Sequence, residues 1–368
     1  MRSVYPLVAL GTWASSVAAD LPLVASDVLQ RGLLRSALVE KSEALLSLAD
    51  DNTRLYGTSG HNKTVDWIQS ALSAYSNYYD VEVQPFQMPA VVTTFRASAT
   101  RFVADAMEMS PEGSVSAPLV LVADNGCAAV DFPPEVAGAI SPGINDNGSG
   151  MIALLEVAQL LTNFSVNHAV RFSWFSAEEQ GKRGSYHYLN SLSEEELARI
   201  RLFLNFDMIA SPNYIYGIYD GDGSSFNVSG AAGSGEAEKL FEDFFAQEGL
   251  PFEPIVLRLS DSLPFFEAGI PTGGLFTGAT ENKTDEQAAR FGGQAGVPFD
   301  LAYHTALDDV NNLNLTAFLN NAKAIAHTVA TYAVSWEGEY GVPKRTKRDL
   351  KARVRRPVWK KARKSADT

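Results

Sequence analysis

Acidic residues recur where stretches of alternating or continuous apolar character end. Asp146 sits in Asn145-Asp146-Asn147-Gly148-Ser149-Gly150, a loop that enters an apolar helix. Glu178 and Glu179 follow the apolar run 169–175, and Asp207 follows the run Leu202–Phe206. In open α/β sheets, sites form beyond the carboxyl ends of the strands. Three separate elements therefore bring carboxylates to one edge, where they repel one another unless a cation or a proton is shared. Ordinary solvated acids in an acidic protein would show the same placement, and His304 decides between the readings. It follows Tyr303 in a polar loop before the last long helix. A Tyr-His pair there suits a metal ligand beside a donor to a developing oxyanion. The other histidines are better placed for structure. His61 opens a helix, His168 precedes a strand at the wrong end of the sheet, His187 lies in a helical stretch and His327 inside an apolar helix.

The elements that must hold these groups can be read from periodicity. Helical spacing covers 27–50 and 64–78, the latter with Val65, Ile68, Leu72 and Tyr75 on one face. Strands are expected at 80–88, 115–123, 169–175, 202–207, 253–258 and 272–277, and helices at 151–162, 194–200, 235–248 and 317–334. Alternating strands and helices imply an α/β fold, a three-layer sandwich around a central, mostly parallel sheet.

Composition sets the outer limits. The chain has 368 residues, 46% of them hydrophobic and 20% charged, which is globular and excludes disorder throughout. Its net charge of −13 argues against nucleic acid as a partner. The charge is segregated: residues 344–368 hold twelve Lys and Arg against only Asp349 and Asp367. This tail is expected to be disordered, and Lys344-Arg345 or Lys347-Arg348 would suit a protease that cleaves at dibasic pairs. Arg2, the apolar run Val4–Trp13 and the small residues Ser16-Val17-Ala18-Ala19 read as a signal peptide, 1–19, directing the chain to the secreted or vacuolar route. No stretch is long enough to span a membrane. Asn-x-Ser/Thr sites at Asn62, Asn147, Asn163, Asn227, Asn282 and Asn314 fit that route; all but Asn147 are candidates for glycosylation. Cys127 is the lone cysteine, which in a secreted chain points to a lost or intermolecular partner.

Five stretches together resemble the secreted and vacuolar zinc aminopeptidases of the aminopeptidase Y and aminopeptidase S type. They are Pro142–Gly150 with Leu154–Ala158, Phe175–Gly181 with Gly184-Ser185, Asn205–Asn213, Phe266–Ala279, and Tyr303-His304. The resemblance covers nearly all of 141–335. It implies two zinc ions, with Asp146 bridging them, Glu179 and His304 completing the second site and Asp207 serving the first. Glu178 would be the general base that takes a proton from the attacking water, and Tyr303 would hydrogen-bond the oxyanion. The implied substrates are peptides with a free N-terminus.

The chain departs from the family pattern in two places. A His-x-Asp segment, which would supply the remaining ligand of the first zinc, normally precedes the Gly-Ile-Asn-Asp stretch; here Val136–Gly143 contains neither residue. Residues 115–140 resemble the opening of a protease-associated insert joined directly to the catalytic part. The implied organisation is an N-terminal part of the peptidase domain at 20–114, a truncated insert at 115–140, the catalytic domain at 141–340 and the tail at 344–368. A missing segment would also explain Cys127, whose partner would lie within it. The two cysteines that often flank the Tyr-His are replaced together by Ala302 and Leu307. Two further readings stay open: an inactive, secreted binding protein of the same fold, and a carboxypeptidase or glutaminyl cyclase relative.

Overall fold

The protein, seen in a computed structural model, is described for residues 21–87, 92–97, 100–105, 141–257 and 260–345. The signal peptide, the strand at 115–123, the insert at 115–140 with Cys127, and the tail beyond 345 lie outside these residues.

The first expected helix is two: α1 (Ser26–Gly32) and α2 (Arg35–Ser47). Leu33 and Leu34 between them adopt extended backbone, so two apolar faces with one spacing belong to two axes. Helix α3 (Ser59–Ser73) begins earlier than its apolar stripe, because the Thr58 hydroxyl accepts the His61 N–H as an N-cap. Val65, Ile68 and Leu72 are buried as the spacing requires. A hairpin of β1 (Val92–Ala97) and β2 (Thr100–Asp105) follows.

Helix α4 (Gly148–Leu161) is capped by Asn147, whose Oδ1 accepts the Gly150 N–H. Ile152, Leu155, Val157, Ala158 and Leu161 are wholly buried, so the helix is enclosed on most sides. It packs against α2 and against α10 (Leu315–Val334), the last long helix, in the main apolar cluster. Between them lie α5 (Arg183–Ser191), α6 (Glu194–Arg199), α7 (Ser234–Gln247), α8 (Ser262–Glu267) and α9 (Asp285–Phe291).

The central sheet joins β3 (Phe203–Phe206), β6 (Thr272–Phe276), β4 (Gly217–Tyr219) and β5 (Glu253–Ile255) in the order β3-β6-β4-β5. Pairs β3–β6 and β4–β5 are parallel and β4–β6 antiparallel, so the sheet is mixed and mostly parallel. A second apolar cluster, built from Tyr188, Leu189, Leu197, Phe265 and Ile270, covers the other face with α5, α6 and α8. The result is an α/β sandwich of helices, sheet and helices.

Two expected strands take no place in this sheet. Residues 80–87 are in no ladder. Residues 169–175 are not laddered either, yet 172–175 keep a strand's alternation. Phe172 and Trp174 point into the main cluster, stacked on each other at 6.4 Å. Phe175 points to the opposite side, against Tyr188 and Phe265. The period of two is intrinsic to the segment; the ladder needs a neighbour, and none is present among the described residues.

Candidate metal centre

The loop carrying Asp146 is held by hydrogen bonds from three directions. Ile144 N–H donates to the Asp308 carbonyl, while the Asn145 and Asp146 N–H groups donate to the two Asp308 carboxylate oxygens at 2.8 and 3.0 Å. The buried Asn145 amide donates to Asp300 at 2.6 Å and Ser211 at 3.1 Å and accepts from Ala210 N–H. Arg54 donates to the carbonyls of Pro142, at 2.6 Å, and Gly143. Helix α4 then starts hard against β3. A Cβ on Gly150 would lie 2.0 Å from the Phe206 carbonyl oxygen, so only glycine allows this approach, and it brings the Asp146 loop beside the end of β3.

Each of the other elements reaches the site through a backbone turn in the left-handed region. Ala177 (φ 56°) precedes Glu178-Glu179, Met208 (φ 48°) follows Asp207, and His304 itself has φ 57°. Such conformations persist where surrounding contacts over-determine them. Here Thr277 N–H donates to the Met208 carbonyl and Lys182 N–H to the Glu178 carbonyl.

These turns converge. His304 Nε2 lies 2.8 Å from Glu179 Oε1 and 3.0 Å from Asp146 Oδ2. One ligand atom from each of Asp146, Glu179 and His304 falls within 4.8 Å of the others. Tyr303 stacks on the His304 ring at 3.7 Å and 19°. Glu178 faces Lys182, Oε1 to Nζ, at 3.1 Å. Asp207 stands behind the trio. Its Oδ1 is buried with no hydrogen-bond partner among the described residues, although a carboxylate oxygen left so is costly.

The electrostatics follow from burial. Desolvation raises the Asp207 carboxyl well above its usual range, and the charges of Asp146 and Glu178 add to this. Burial also raises Asp146 and Glu178. Burial alone would raise Glu179 as well, but its hydrogen bond with His304 draws it below the usual value. Hydrogen bonds to Asp146 and then Glu179 push the His304 imidazole up. Burial, then Asp146, raises the Tyr303 hydroxyl. Beneath Glu178, Asp261 accepts from the Ser185 hydroxyl and is pushed up by burial to about 7. The protein thus gathers more buried negative charge than its own cations offset. A mixed oxygen and nitrogen donor set with an orphaned carboxylate oxygen beside it suits a divalent ion, and the residues present fit zinc.

All six sequence-derived residues lie at this edge: Asp146, Glu178, Glu179, Asp207, Tyr303 and His304. The three-donor group itself excludes Asp207. The other histidines are structural, as expected: His61 bonds Ser176 at 2.5 Å, His168 lies against Trp336, His187 stacks on Phe86 and His327 bonds Ser26. Sequence reasoning passed over Arg54, Asn145, Asp300 and Asp308. Asp300 and Asp308 flank the Tyr-His in sequence, and that symmetry was the available signal. A second acidic group, Asp220, Asp222 and Glu238, lies elsewhere; the carboxylates of Asp220 and of Glu238 on α7 accept backbone N–H groups of the 221–226 loop.

An α/β sandwich with a carboxylate–imidazole cluster at its strand ends defines the class of cation-dependent α/β hydrolytic folds. Comparison with known proteins narrows this. Residues 129–329 match Peptidase family M28, and the chain belongs to that family. It is 34% identical to the probable leucine aminopeptidase 2 of Trichophyton verrucosum over 447 residues, covering 89% of this chain and 90% of that protein. Over 195 residues it is 57% identical to the probable leucine aminopeptidase 2 of Aspergillus fumigatus, covering 53% of this chain and 39% of that one. The LapA aminopeptidase of Legionella pneumophila shares the fold, with a TM-score of 0.51 at 13% identity, over 88% of this chain and 78% of that chain.

Proposed function

We propose that the protein is a secreted zinc aminopeptidase that removes N-terminal residues from peptides. The observation that carries this is the convergence of Asp146, Glu179 and His304, delivered by three elements far apart in sequence, beside the unpartnered Oδ1 of Asp207. Relatives named leucine aminopeptidase 2 support the substrate class.

Asp146, Glu179 and His304 would hold one zinc ion, with Asp146 shared towards a second site at Asp207. Zinc, when bound, supplies a Lewis acid that polarises a carbonyl and makes water more acidic. Glu178 is half-buried and raised by burial, which suits a base that takes a proton from the attacking water and returns it to the leaving amine. Lys182 holds that carboxylate from its far side. The Tyr303 hydroxyl, which stays protonated, donates to the substrate oxygen as it gains charge. The surrounding acids attract the α-ammonium group of a free N-terminus.

The organisation proposed from the sequence goes with this reading. A signal peptide at 1–19, a peptidase domain interrupted by the insert remnant at 115–140 and glycans on exposed Asn62, Asn163, Asn227 and Asn282 would mark a secreted enzyme. The alignment of 447 residues is longer than the 368-residue chain, so relatives contain polypeptide with no counterpart here. This supports a missing internal segment, and with the absence of His and Asp from Val136–Gly143 it favours a second reading, an impaired or inactive binding protein of the same fold.

The test is hydrolysis of a short peptide with a leucine N-terminus, free or acetylated, with zinc or a chelator. Cleavage of the free peptide alone, abolished by the chelator and restored by zinc, is the expected result. Equal cleavage of both peptides would sink the aminopeptidase assignment. Cleavage of neither by the zinc-loaded chain would leave the binding-protein reading.

A further inference from the structure

Lys-Arg pairs stand at three places in the chain, 182–183, 344–345 and 347–348. An endoprotease of dibasic specificity must take such a pair into its cleft as extended chain, with the second side chain filling a pocket and the backbone free to pair with the enzyme. Susceptibility therefore depends on the burial and hydrogen bonding of the residues before the scissile bond, not on the pair alone. The fold separates the three pairs on this ground.

Lys182-Arg183 is held within the catalytic part. Lys182 is paired with Glu178 at 3.1 Å, Arg183 Nε donates to the Gln180 carbonyl at 3.0 Å, and the bond after Arg183 lies in the first turn of α5. Lys344-Arg345 is held at the end of the described chain. Lys344 is exposed, but Arg345 is only 8% exposed. Its Nη1 donates to the carbonyls of Leu197 and Ile200, at 3.1 and 2.9 Å, so the guanidinium caps the carboxyl end of α6, where a cation is favoured. Three residues earlier the Val342 carbonyl accepts from Arg201 Nε and Nη2, at 2.9 and 2.6 Å, and the Val342 side chain is buried in a cluster with Leu240 and Tyr332. The stretch Val342–Arg345 is thus pinned at both ends. These are the four residues that a protease would have to withdraw to cut after Arg345.

We propose that Arg345 is the protected end of the folded chain, and that a dibasic endoprotease removes the tail at Lys347-Arg348, three residues beyond it. The proposal rests on the secreted reading above, which brings the chain to such proteases. Water adds across the Arg348–Asp349 peptide bond, leaving a carboxylate on Arg348 and an ammonium group on Asp349. The lost piece, 349–368, holds eight Lys and Arg against two Asp, so the net charge moves from −13 to −19. The trimmed chain carries more charge of one sign, which favours solubility and keeps copies apart.

The probe is purified kexin, an endoprotease that cuts after Lys-Arg, added to the full native chain and, separately, to a synthetic peptide of residues 341–352. Intact mass against time identifies each new end. The peptide should be cut after both Arg345 and Arg348. The native chain should lose 349–368 and stop there. Its cleavage after Arg345 should be about 100-fold or more slower than the peptide's, since it waits for a local opening that breaks the Arg345 and Val342 hydrogen bonds together. Cuts at other basic pairs between 355 and 364 fall within the lost piece and leave the end product unchanged. In Arg201→Ala, which releases Val342, cleavage after Arg345 should quicken by about tenfold. Cleavage of the native chain after Arg345 at the peptide's rate would overturn the proposal, as would a native chain left uncut after Arg348. A peptide refused at Arg345 would do the same, because the selectivity would then lie in the local sequence and not in the fold. None of these readouts depends on the chain's own activity or on its route through the cell, so failure here and failure of the secreted aminopeptidase reading are separate events.

Discussion

His304 Nε2 stands 2.8 Å from Glu179 Oε1 although 125 residues separate the two in the chain. Neither side chain is deeply buried, at 42% exposure each, so packing does not impose the contact. The turns that carry them do. If the pair ligates zinc, His304→Ala removes the only imidazole of the set. Zinc affinity should fall by about 100-fold or more. Competition against a chromophoric chelator measures this, and unchanged affinity would remove His304 from the ligand set.

Glu178→Gln keeps the shape of the side chain and deletes its basicity. The kcat for a free peptide should fall by about 10²–10⁴, with KM little changed. Stability should not drop, because the swap removes one of several crowded, partly desolvated carboxylates, Asp207 and Asp261 among them. A KM effect without a kcat effect would make Glu178 a binding group instead.

Asn145 is fully buried and joins three segments. Asn145→Ala leaves the Ala210 N–H without its acceptor and Asp300 with one donor fewer. The expected cost is about 1–3 kcal/mol, read by denaturant unfolding. Zinc binding should weaken with it, since Asp146 is the next residue. A variant of wild-type stability would show that the loop does not depend on this amide.

His61 is buried against Ser176, and burial lowers its imidazole to about 4 from an ordinary 6.5. The unfolded chain then binds a proton between these values that the folded chain refuses. Stability is unaffected by this group above pH 6.5 and declines as pH falls towards 4, by about 3 kcal/mol in all. In His61→Gln that part of the acid sensitivity should vanish. The difference between the two Tm-against-pH curves isolates it from the carboxylates, and parallel curves would refute the assignment.

Much of the site could be read from single residues at element ends, because strand-to-loop transitions leave a mark that does not depend on partners. Helix α4 was expected at 151–162 and forms at 148–161; its start is set by the Asn147 cap, visible once the Asn-Gly-Ser run is read as a cap and not only as a loop. Helix α10 and strands β3 and β6 formed close to where periodicity put them. Shorter elements escaped. Helix α8 has six residues with Pro264 inside and β4 has three, too few for any period. The clamp of Asp308 on the Asp146 loop left only its position beside the Tyr-His as a signal, because the backbone donors it binds carry no residue signature. Residues 169–175 show the converse limit. Their alternation was legible and correct, but pairing belongs to two segments, and one segment's sequence cannot supply the other.

Arg54 holds the carbonyls of Pro142 and Gly143 from within the protein, with Asp308 and Asp146 as its charged neighbours, and burial lowers its guanidinium to about 10. The Asp146 loop therefore owes its shape to a cation that is part of the polypeptide. Loading the centre with an ion would then resemble docking into a finished berth more than folding a loop around a nucleus. It would proceed with little change in heat capacity, and stripping the ion would leave the loop standing.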